Sequence, residues 1–261
     1  MTLCIIWQEQ GTIKFASDSR LSFGEVLVGD FGIKICRVPF NIYDATESNG
    51  KKTLITSGDL GFAFAGSALG SLIIKEAISE LIAELQGIAG HHQTDMYGIS
   101  QFIFKAYEAI SKDVCAALAK NGLTCIVFSG YCQKAEKLRT FRMETNISNQ
   151  SSINEILLEN TFEVIGSGAE PAKKLLPSAK ISQADAINAL KNIIEDKSIA
   201  DVGGHIQYGS FINNRFQPAG VASVDDDDLI NYWRGPFDLN AAYFNNDDGL
   251  IPNFPLLDLI K

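Results

Sequence analysis

Three side chains near the start of the chain could together perform nucleophilic chemistry. Thr2 carries a hydroxyl, Asp18 lies sixteen residues further on, and Lys34 lies sixteen beyond that. If Met1 is removed, the α-amine of Thr2, with an ordinary pKa of about 7.7–8.0, can accept the proton of its own hydroxyl. A lysine cation nearby favours the neutral amine. A carboxylate beside the lysine keeps that cation charged and oriented.

Each of these residues also has an ordinary structural interpretation. Thr2 could belong to a frayed terminus, Asp18 to a turn after a strand, and Lys34 to the surface. Against this, an apolar run begins directly after Thr2, and a methionine before so small a residue is commonly trimmed. Strand alternation would place Lys34 on the opposite face from its two isoleucine neighbours. A lysine facing inward needs a carboxylate, and Asp18 is the candidate.

Four ordered segments extend the pattern: 2–20, ending in Ala-Ser-Asp-Ser-Arg, then 32–35, 64–68 and 165–168. On these segments the chain resembles the proteasome-type N-terminal-nucleophile (Ntn) hydrolases, which include proteasome β-subunits and simpler bacterial proteasome-like peptidases. The first two segments keep the spacing of that family residue for residue, and the resemblance covers roughly residues 2–220. It implies an α+β fold, the four-layer α-β-β-α sandwich, in which two stacked antiparallel sheets are flanked by helices.

The resemblance also implies roles for individual residues. Gly66 would donate its backbone N–H to an oxyanion; alternatively, it is only a glycine at a strand-to-helix junction. Ser167 would hydrogen-bond the free amine of Thr2; alternatively, it only caps a helix. Arg20 would support the Asp18 and Lys34 pair. The wall of a substrate pocket would be formed by Leu21, Phe64 and Ala68.

The segment around Asp201 departs from the family. Proteasome β-subunits have a serine directly before a Gly-Gly pair and an aspartate three residues earlier, where this chain has Val202 and Ile199. A shifted loop would still bring Asp201 to Thr2. Alternatively, the supporting residues are altered and the activity is weak.

The order of predicted elements is strands, two helices, strands, two helices, strands. Such grouping favours stacked sheets covered by helices over alternating βαβ units. The apolar pattern predicts helices at 68–85, from a cap at Asp95 to about 120, at 168–176 and at 182–194, and a hairpin across Gly58-Asp59. We expect one Ntn hydrolase domain at 1–224, with an insertion at about 39–53, and an acidic, aromatic C-terminal extension at 225–261 that packs on the domain or on a neighbouring subunit.

Composition narrows the function classes. The net charge of −9 without a basic stripe argues against nucleic-acid and anionic membrane partners. No apolar run reaches the roughly 18 residues of a membrane helix. Five cysteines without a CxxC pair favour a reducing compartment, so we expect a cytoplasmic protein. The pair His91-His92 and the distant His205 have no third ligand at a suitable spacing, which argues against a metal site. Because the nucleophile, base and oxyanion donor can act without one, we expect no cofactor.

The predicted function is therefore a threonine endopeptidase-like hydrolase that cleaves amide, mainly peptide, bonds through Thr2. The resemblance implies self-association into a ring or spiral homo-oligomer, peptide or unfolded-protein substrates, and an ATP-dependent unfoldase as a candidate partner. Two alternatives remain open. One is a small-molecule amidase or acylase on the same fold, and the other is a catalytically silent structural subunit.

Overall fold

The computed structural model of the chain describes residues 2–23, 26–44, 52–87, 95–158, 162–224, 230–240 and 252–258. His91, His92 and residues 45–51 of the predicted insertion lie outside these ranges. The described helices are α1 (Ala68–Ala83), α2 (Met96–Leu118), α3 (Ala169–Leu175) and α4 (Gln183–Glu195). The described strands are β1 (Leu3–Glu9), β2 (Thr12–Ser17), β3 (Leu21–Phe23), β4 (Val26–Gly29), β5 (Ile35–Tyr43), β6 (Leu54–Gly66), β7 (Leu85–Gln86), β8 (Thr124–Cys132), β9 (Lys137–Thr145), β10 (Ser151–Ile156), β11 (Phe162–Gly166), β12 (Gln207–Ile212), β13 (Arg215–Val224), β14 (Ile230–Arg234), β15 (Phe237–Asp238) and β16 (Leu256–Asp258).

Two large sheets carry most of the strands. The first has eight strands in the order β11-β1-β2-β12-β13-β14-β15, with β16 also paired to β13. The second has six strands in the order β10-β9-β8-β6-β5-β7, and β3 and β4 form a separate hairpin. Pairing is antiparallel except for β5 with β7 and β13 with β16. The described chain is thus a mixed α+β protein built on antiparallel sheets, as expected.

Strand alternation divides the buried side chains of β1 between two cores. Leu3, Ile5 and Trp7 pack with residues of α3 and α4, whereas Cys4 and Ile6 pack with residues of the six-stranded sheet. A third core joins the other face of the six-stranded sheet to α1 and α2. An almost continuous apolar strand at the start of the chain is explained by burial on both of its faces.

Helix starts agree closely with the sequence. Asp95 caps α2 by accepting a hydrogen bond from the N–H of Tyr97, and Ser182 begins α4 in a capping box with Asp185. Both caps were predicted, and both are confirmed. The reason is local, because a short polar side chain satisfies an N–H group that the first helical turn leaves without a partner.

The predicted hairpin across Gly58-Asp59 is wrong, since β6 runs through both residues without a turn. Its partner β5 extends alongside, pairing Phe40 with Gly58 and Pro39 with Asp59. The ring of Phe40 occupies the space that a side chain at Gly58 would fill. The glycine therefore marks a close packing contact inside a strand. Lys34 also lies just before β5 and not within it.

The last described segments join the eight-stranded sheet. The strand β14 pairs antiparallel with β13, and β16 pairs parallel with the same strand. Leu257 of β16 is buried in the core beneath α3 and α4. Within the described ranges, no helix has the length and apolar character needed to cross a membrane.

Candidate active site

The carboxylate of Asp18 is the centre of a buried polar cluster. One oxygen accepts a hydrogen bond from Lys34 Nζ at 2.8 Å and one from the N–H of Leu3 at 3.0 Å. The other accepts from the N–H groups of Arg20 at 3.1 Å and Gly203 at 3.0 Å. Asp18 and Lys34 have no exposed surface. Because four donors surround the carboxylate, the burial of its charge is compensated.

The hairpin of β1 and β2 explains why this carboxylate lies at the start of the chain. Its register pairs Cys4 with Ser17, so the residue after β2 lies opposite Leu3, the first residue of β1. Asp18 therefore reaches the backbone of Leu3, next to Thr2. Lys34 approaches from the segment that leads into β5. The structure thus brings Asp18 and Lys34 together at Leu3, the residue that follows Thr2 in the sequence.

Thr2 is held by the segment between β11 and α3. Its carbonyl oxygen accepts long hydrogen bonds, both 3.5 Å, from the N–H of Gly168 and the hydroxyl of Ser167. Gly166 has φ +102°, and a Cβ there would lie 1.9 Å from the same carbonyl oxygen. Only glycine permits this approach. Thr2 itself is 2% exposed.

Gly66 lies at the end of β6, directly before the cap of α1. It has φ +93°, and a Cβ there would lie 2.4 Å from the carbonyl oxygen of Leu123. The next residue, Ser67, accepts a hydrogen bond from the N–H of Gly70 at 3.2 Å. The Cys4 thiol donates to the carbonyl of Phe64 at 3.3 Å, which places this end of β6 beside β1. The N-terminus of α1, the positive end of its dipole, therefore begins two residues after a strand end that lies beside β1.

Arg20 fastens the loop before β12 to the cluster. Its guanidinium makes two hydrogen bonds to Asp30, at 2.8 and 3.0 Å, and donates to the carbonyl oxygens of Ala200 and Val202. The bonds to Arg20 hold the pKa of Asp30 below its ordinary value. This loop contains Asp201, but within the described residues no hydrogen bond connects Asp201 to Thr2.

Gln207 is a member of the cluster that the sequence analysis missed. Its amide nitrogen donates to the carbonyls of Asp18 at 3.1 Å and Gly32 at 2.7 Å, and its oxygen accepts the N–H of Lys34 at 3.0 Å. A glutamine between Ile206 and Tyr208 in a strand carries no local signal of this role. Asp30 was missed for the same reason, because only the folded chain brings its carboxylate to Arg20.

The predicted pocket residues occupy different environments. Leu21 begins β3 and Ala68 begins α1, and both are partly exposed. Phe64 is 1% exposed and packs in the core beneath α1 and α2, so it does not face an open surface. The hairpin that begins at Leu21 exposes three large apolar side chains at 26–28, and the side chain of Phe31, two residues after β4, is also exposed.

A second nucleophile lies near the cluster but is inactive at neutral pH. Burial raises the pKa of the Cys4 thiol to about 12, against smaller lowering contributions from Ser17 and Lys34. The thiolate is the reactive form of cysteine. Cys4 therefore remains a protonated core residue. Among the described residues, no group of three or more metal-binding side chains is arranged to hold an ion.

Comparison with known proteins shows the fold alone. No protein-family model and no curated protein matches the chain. Among solved structures, the fold is similar to that of Anbu (ancestral beta-subunit) from Yersinia bercovieri, with a TM-score of 0.57 and 15% sequence identity. The match covers 83% of this chain and 86% of that chain. At this identity the chemistry has to be argued from the residues.

Proposed function

We propose that the protein is a threonine-type Ntn hydrolase that cleaves amide bonds with Thr2 after removal of Met1. One observation carries the proposal: the buried carboxylate of Asp18 binds both Lys34 Nζ, at 2.8 Å, and the N–H of Leu3, at 3.0 Å. The cation and the first strand are thereby bonded to one carboxylate at Leu3, the residue that follows Thr2.

The first half of the reaction forms an acyl-enzyme. The α-amine of Thr2 takes the hydroxyl proton while Oγ attacks the amide carbonyl, and the carbonyl oxygen becomes an oxyanion. The N–H of Gly66, near the positive end of α1, donates a hydrogen bond to that oxyanion. The carbon–nitrogen bond then breaks, and the protonated α-amine gives its proton to the leaving amine.

The second half releases the acyl group. The α-amine takes a proton from water, the resulting hydroxide attacks the ester, and Oγ leaves with the proton restored. Lys34 favours the neutral α-amine throughout, and Asp18 holds Lys34 in place. Ser167, Arg20 and Asp201 complete the proposed support, and Leu21 and Ala68 border the substrate.

Architecture and assembly are part of the same proposal. The three cores support a four-layer α-β-β-α order, with helices outside each of two stacked sheets. We place the catalytic domain at 1–224 and the extension at 225–261. The apolar side chains exposed on β4 and on α1 would be covered in a homo-oligomeric ring or spiral, acting in the cytoplasm on peptides or unfolded proteins.

Intact-protein mass spectrometry tests the proposal. The purified protein should be lighter than the full chain by about 131 Da, one methionine residue, and should gain one adduct from a peptide epoxyketone, which bonds to both the hydroxyl and the amine of an N-terminal threonine. Thr2→Ala should lose Met1 and gain no adduct, whereas Thr2→Ser should keep the adduct.

The opposite result is equally informative. A wild-type protein that retains Met1 and gains no adduct would contradict the proposal and favour a structural subunit. An adduct that persists in Thr2→Ala would place the nucleophile elsewhere.

A further inference from the structure

Arg234, the last residue of β14, is a buried cation that donates hydrogen bonds to neutral acceptors. It is 6% exposed, and burial lowers its pKa. In the part of the chain that the structure describes, no acidic side chain forms an ion pair with it. A buried guanidinium costs free energy unless neutral acceptors satisfy its donors. The groups that accept its hydrogen bonds therefore indicate which part of the fold Arg234 stabilises.

Among the described residues, Arg234 donates to one acceptor in the segment that carries Lys34 and to one on β12 that is itself bonded to that segment. One terminal nitrogen donates to the carbonyl of Ile35 at 2.7 Å, and the other donates to Gln207 Oε1 at 3.4 Å. Phe254 lies against the guanidinium, with its ring centroid at 5.8 Å. Residues of the C-terminal extension thus hold Arg234 against the residue that follows Lys34.

The hydrogen bond to Gln207 matters because arginine can only donate. Gln207 Oε1 accepts from Arg234 and from the N–H of Lys34, while its amide nitrogen donates to the carbonyls of Asp18 and Gly32. Were this amide reversed, its NH₂ group would face donors and its oxygen would face carbonyls. Arg234 therefore favours the one amide orientation that ties the Asp18 and Lys34 segments together.

Two further contacts fix β14 in this position. The ring of Trp233 stacks on that of His205 with centroids 3.9 Å apart, and His205 is bonded through its N–H to the hydroxyl of Ser19, next to Asp18. After β14, a Cβ at Gly235 would touch Ile33 at 3.4 Å. The extension is thus packed against both segments of the site.

We propose that Arg234 is a positioning residue, through which the C-terminal extension holds Gln207 and so keeps Lys34 and Asp18 aligned beside Thr2. The expected effect of Arg234 on the reactivity of Thr2 rests on the proposed function, whereas its expected effect on the order of the Lys34 segment does not. Arg234 does not itself touch the reacting atoms in this proposal. It acts through the amide of Gln207 and the carbonyl of Ile35.

The test compares Arg234→Gln and Arg234→Lys with a matched control, Arg215→Gln. Arg215 lies on β13 of the same sheet, but its guanidinium bonds to Ser57 and Asp59, away from the site. Two properties are measured for each variant. They are the hydrogen exchange of backbone amides in residues 32–38, and the rate and half-saturating concentration of epoxyketone labelling.

Arg234→Gln should accelerate exchange of the Lys34 and Ile35 amides while leaving exchange in α2 unchanged. Its maximal labelling rate should fall on the order of 10- to 100-fold, since small misplacements of catalytic groups have effects of this size, with little change in the half-saturating concentration. Arg234→Lys should recover only part of the rate, because one ammonium cannot reproduce the guanidinium fork. Arg215→Gln should match the wild type in both properties.

Unchanged exchange at 32–38 in Arg234→Gln would overturn the proposal, as would full labelling by that variant. If Arg234→Gln does not fold, the comparison is made with Arg234→Lys, for which wild-type exchange and labelling are the overturning result. If the wild-type protein is not labelled at all, the proposed function fails, and the exchange of residues 32–38 alone decides whether Arg234 holds the Lys34 segment.

Discussion

Two buried polar clusters lie on different sheets of this protein, and they differ in charge. The Asp18 cluster, comprising Asp18, Lys34 and Gln207, joins a carboxylate and an ammonium in a fully buried setting. The hydroxyl network, comprising Tyr107, Ser111, Thr124, Thr145 and Ser151, joins α2 to β8, β9 and β10 through neutral groups. Both are connected by hydrogen bonds, yet only one carries ions.

The difference indicates what each cluster is for. Neutral hydroxyls that satisfy one another connect a helix to a sheet at little electrostatic cost. A buried ion pair has to overcome the desolvation of two charges, and it is often no more stabilising than apolar residues of the same volume. An ion pair beside Thr2 is therefore poorly explained by stability alone, which supports a chemical role.

The largest expected effect is that of Lys34→Met. It leaves the Asp18 carboxylate buried without its cation, which should lower the free energy of unfolding by about 3–5 kcal/mol. Epoxyketone labelling of Thr2 should also be lost. Urea unfolding followed by tryptophan fluorescence measures the first effect, and intact mass measures the second.

The double variant Asp18→Asn/Lys34→Met is the control for buried charge. Because neither charge remains, it should recover part of the stability that Lys34→Met loses, and labelling should stay absent. If Lys34→Met proved no more destabilising than a change in the hydroxyl network, the contrast between the two clusters would be lost.

An intermediate effect is expected for Tyr107→Phe. The carbonyl of Thr124 loses the hydrogen bond that it accepts from Tyr107 at 2.8 Å, which should cost about 1–3 kcal/mol without altering Thr2 labelling. Burial raises the pKa of Tyr107 from its ordinary 10.0 to about 12. The stability that the protonated Tyr107 contributes is therefore fully present below pH 10 and is lost as the pH rises towards 12. The stability difference between wild type and variant should therefore shrink in that range.

The smallest effect is expected for Asp30→Asn, which breaks the partly exposed pair with Arg20. At neutral pH the loss should be about 1 kcal/mol or less. The bonds to Arg20 lower the pKa of Asp30 below its ordinary 3.8, so its contribution is present above that value and is lost as the pH falls further. Acid titration of stability should bring the two proteins together below pH 3.8, and a constant difference would contradict this assignment.

The elements that were predicted correctly are those that depend on neighbouring residues. The caps at Asp95 and Ser182 satisfy N–H groups within three residues, and the apolar period of α2 and α4 marks the buried face of each helix. The apolar stripe of α1 does not, because Leu69, Leu72 and Ile73 are exposed. The error at Gly58 has the opposite origin. Whether a glycine turns a strand or admits a neighbouring ring depends on Phe40, which belongs to another strand.

The contact between Asp18 and the start of the chain was determined by the sequence itself. That contact depends on one tight hairpin, in which the turn between β1 and β2 sets the register and alternation sets the faces. The pairing of Lys34 with Asp18 could also be predicted, because Lys34 lies between two apolar residues and a buried lysine needs a carboxylate.

Only the tertiary structure decided what surrounds this pair. Gly203 and Gln207 contact it because β12 pairs with β2, and Arg234 contacts Gln207 because β14 pairs with β13. Periodicity shows which face of a strand is buried, but not which distant strand becomes its neighbour. Pairing of that kind is settled by the packing of the whole chain, so the residues that hold Lys34 and Asp18 in place became visible only in the fold.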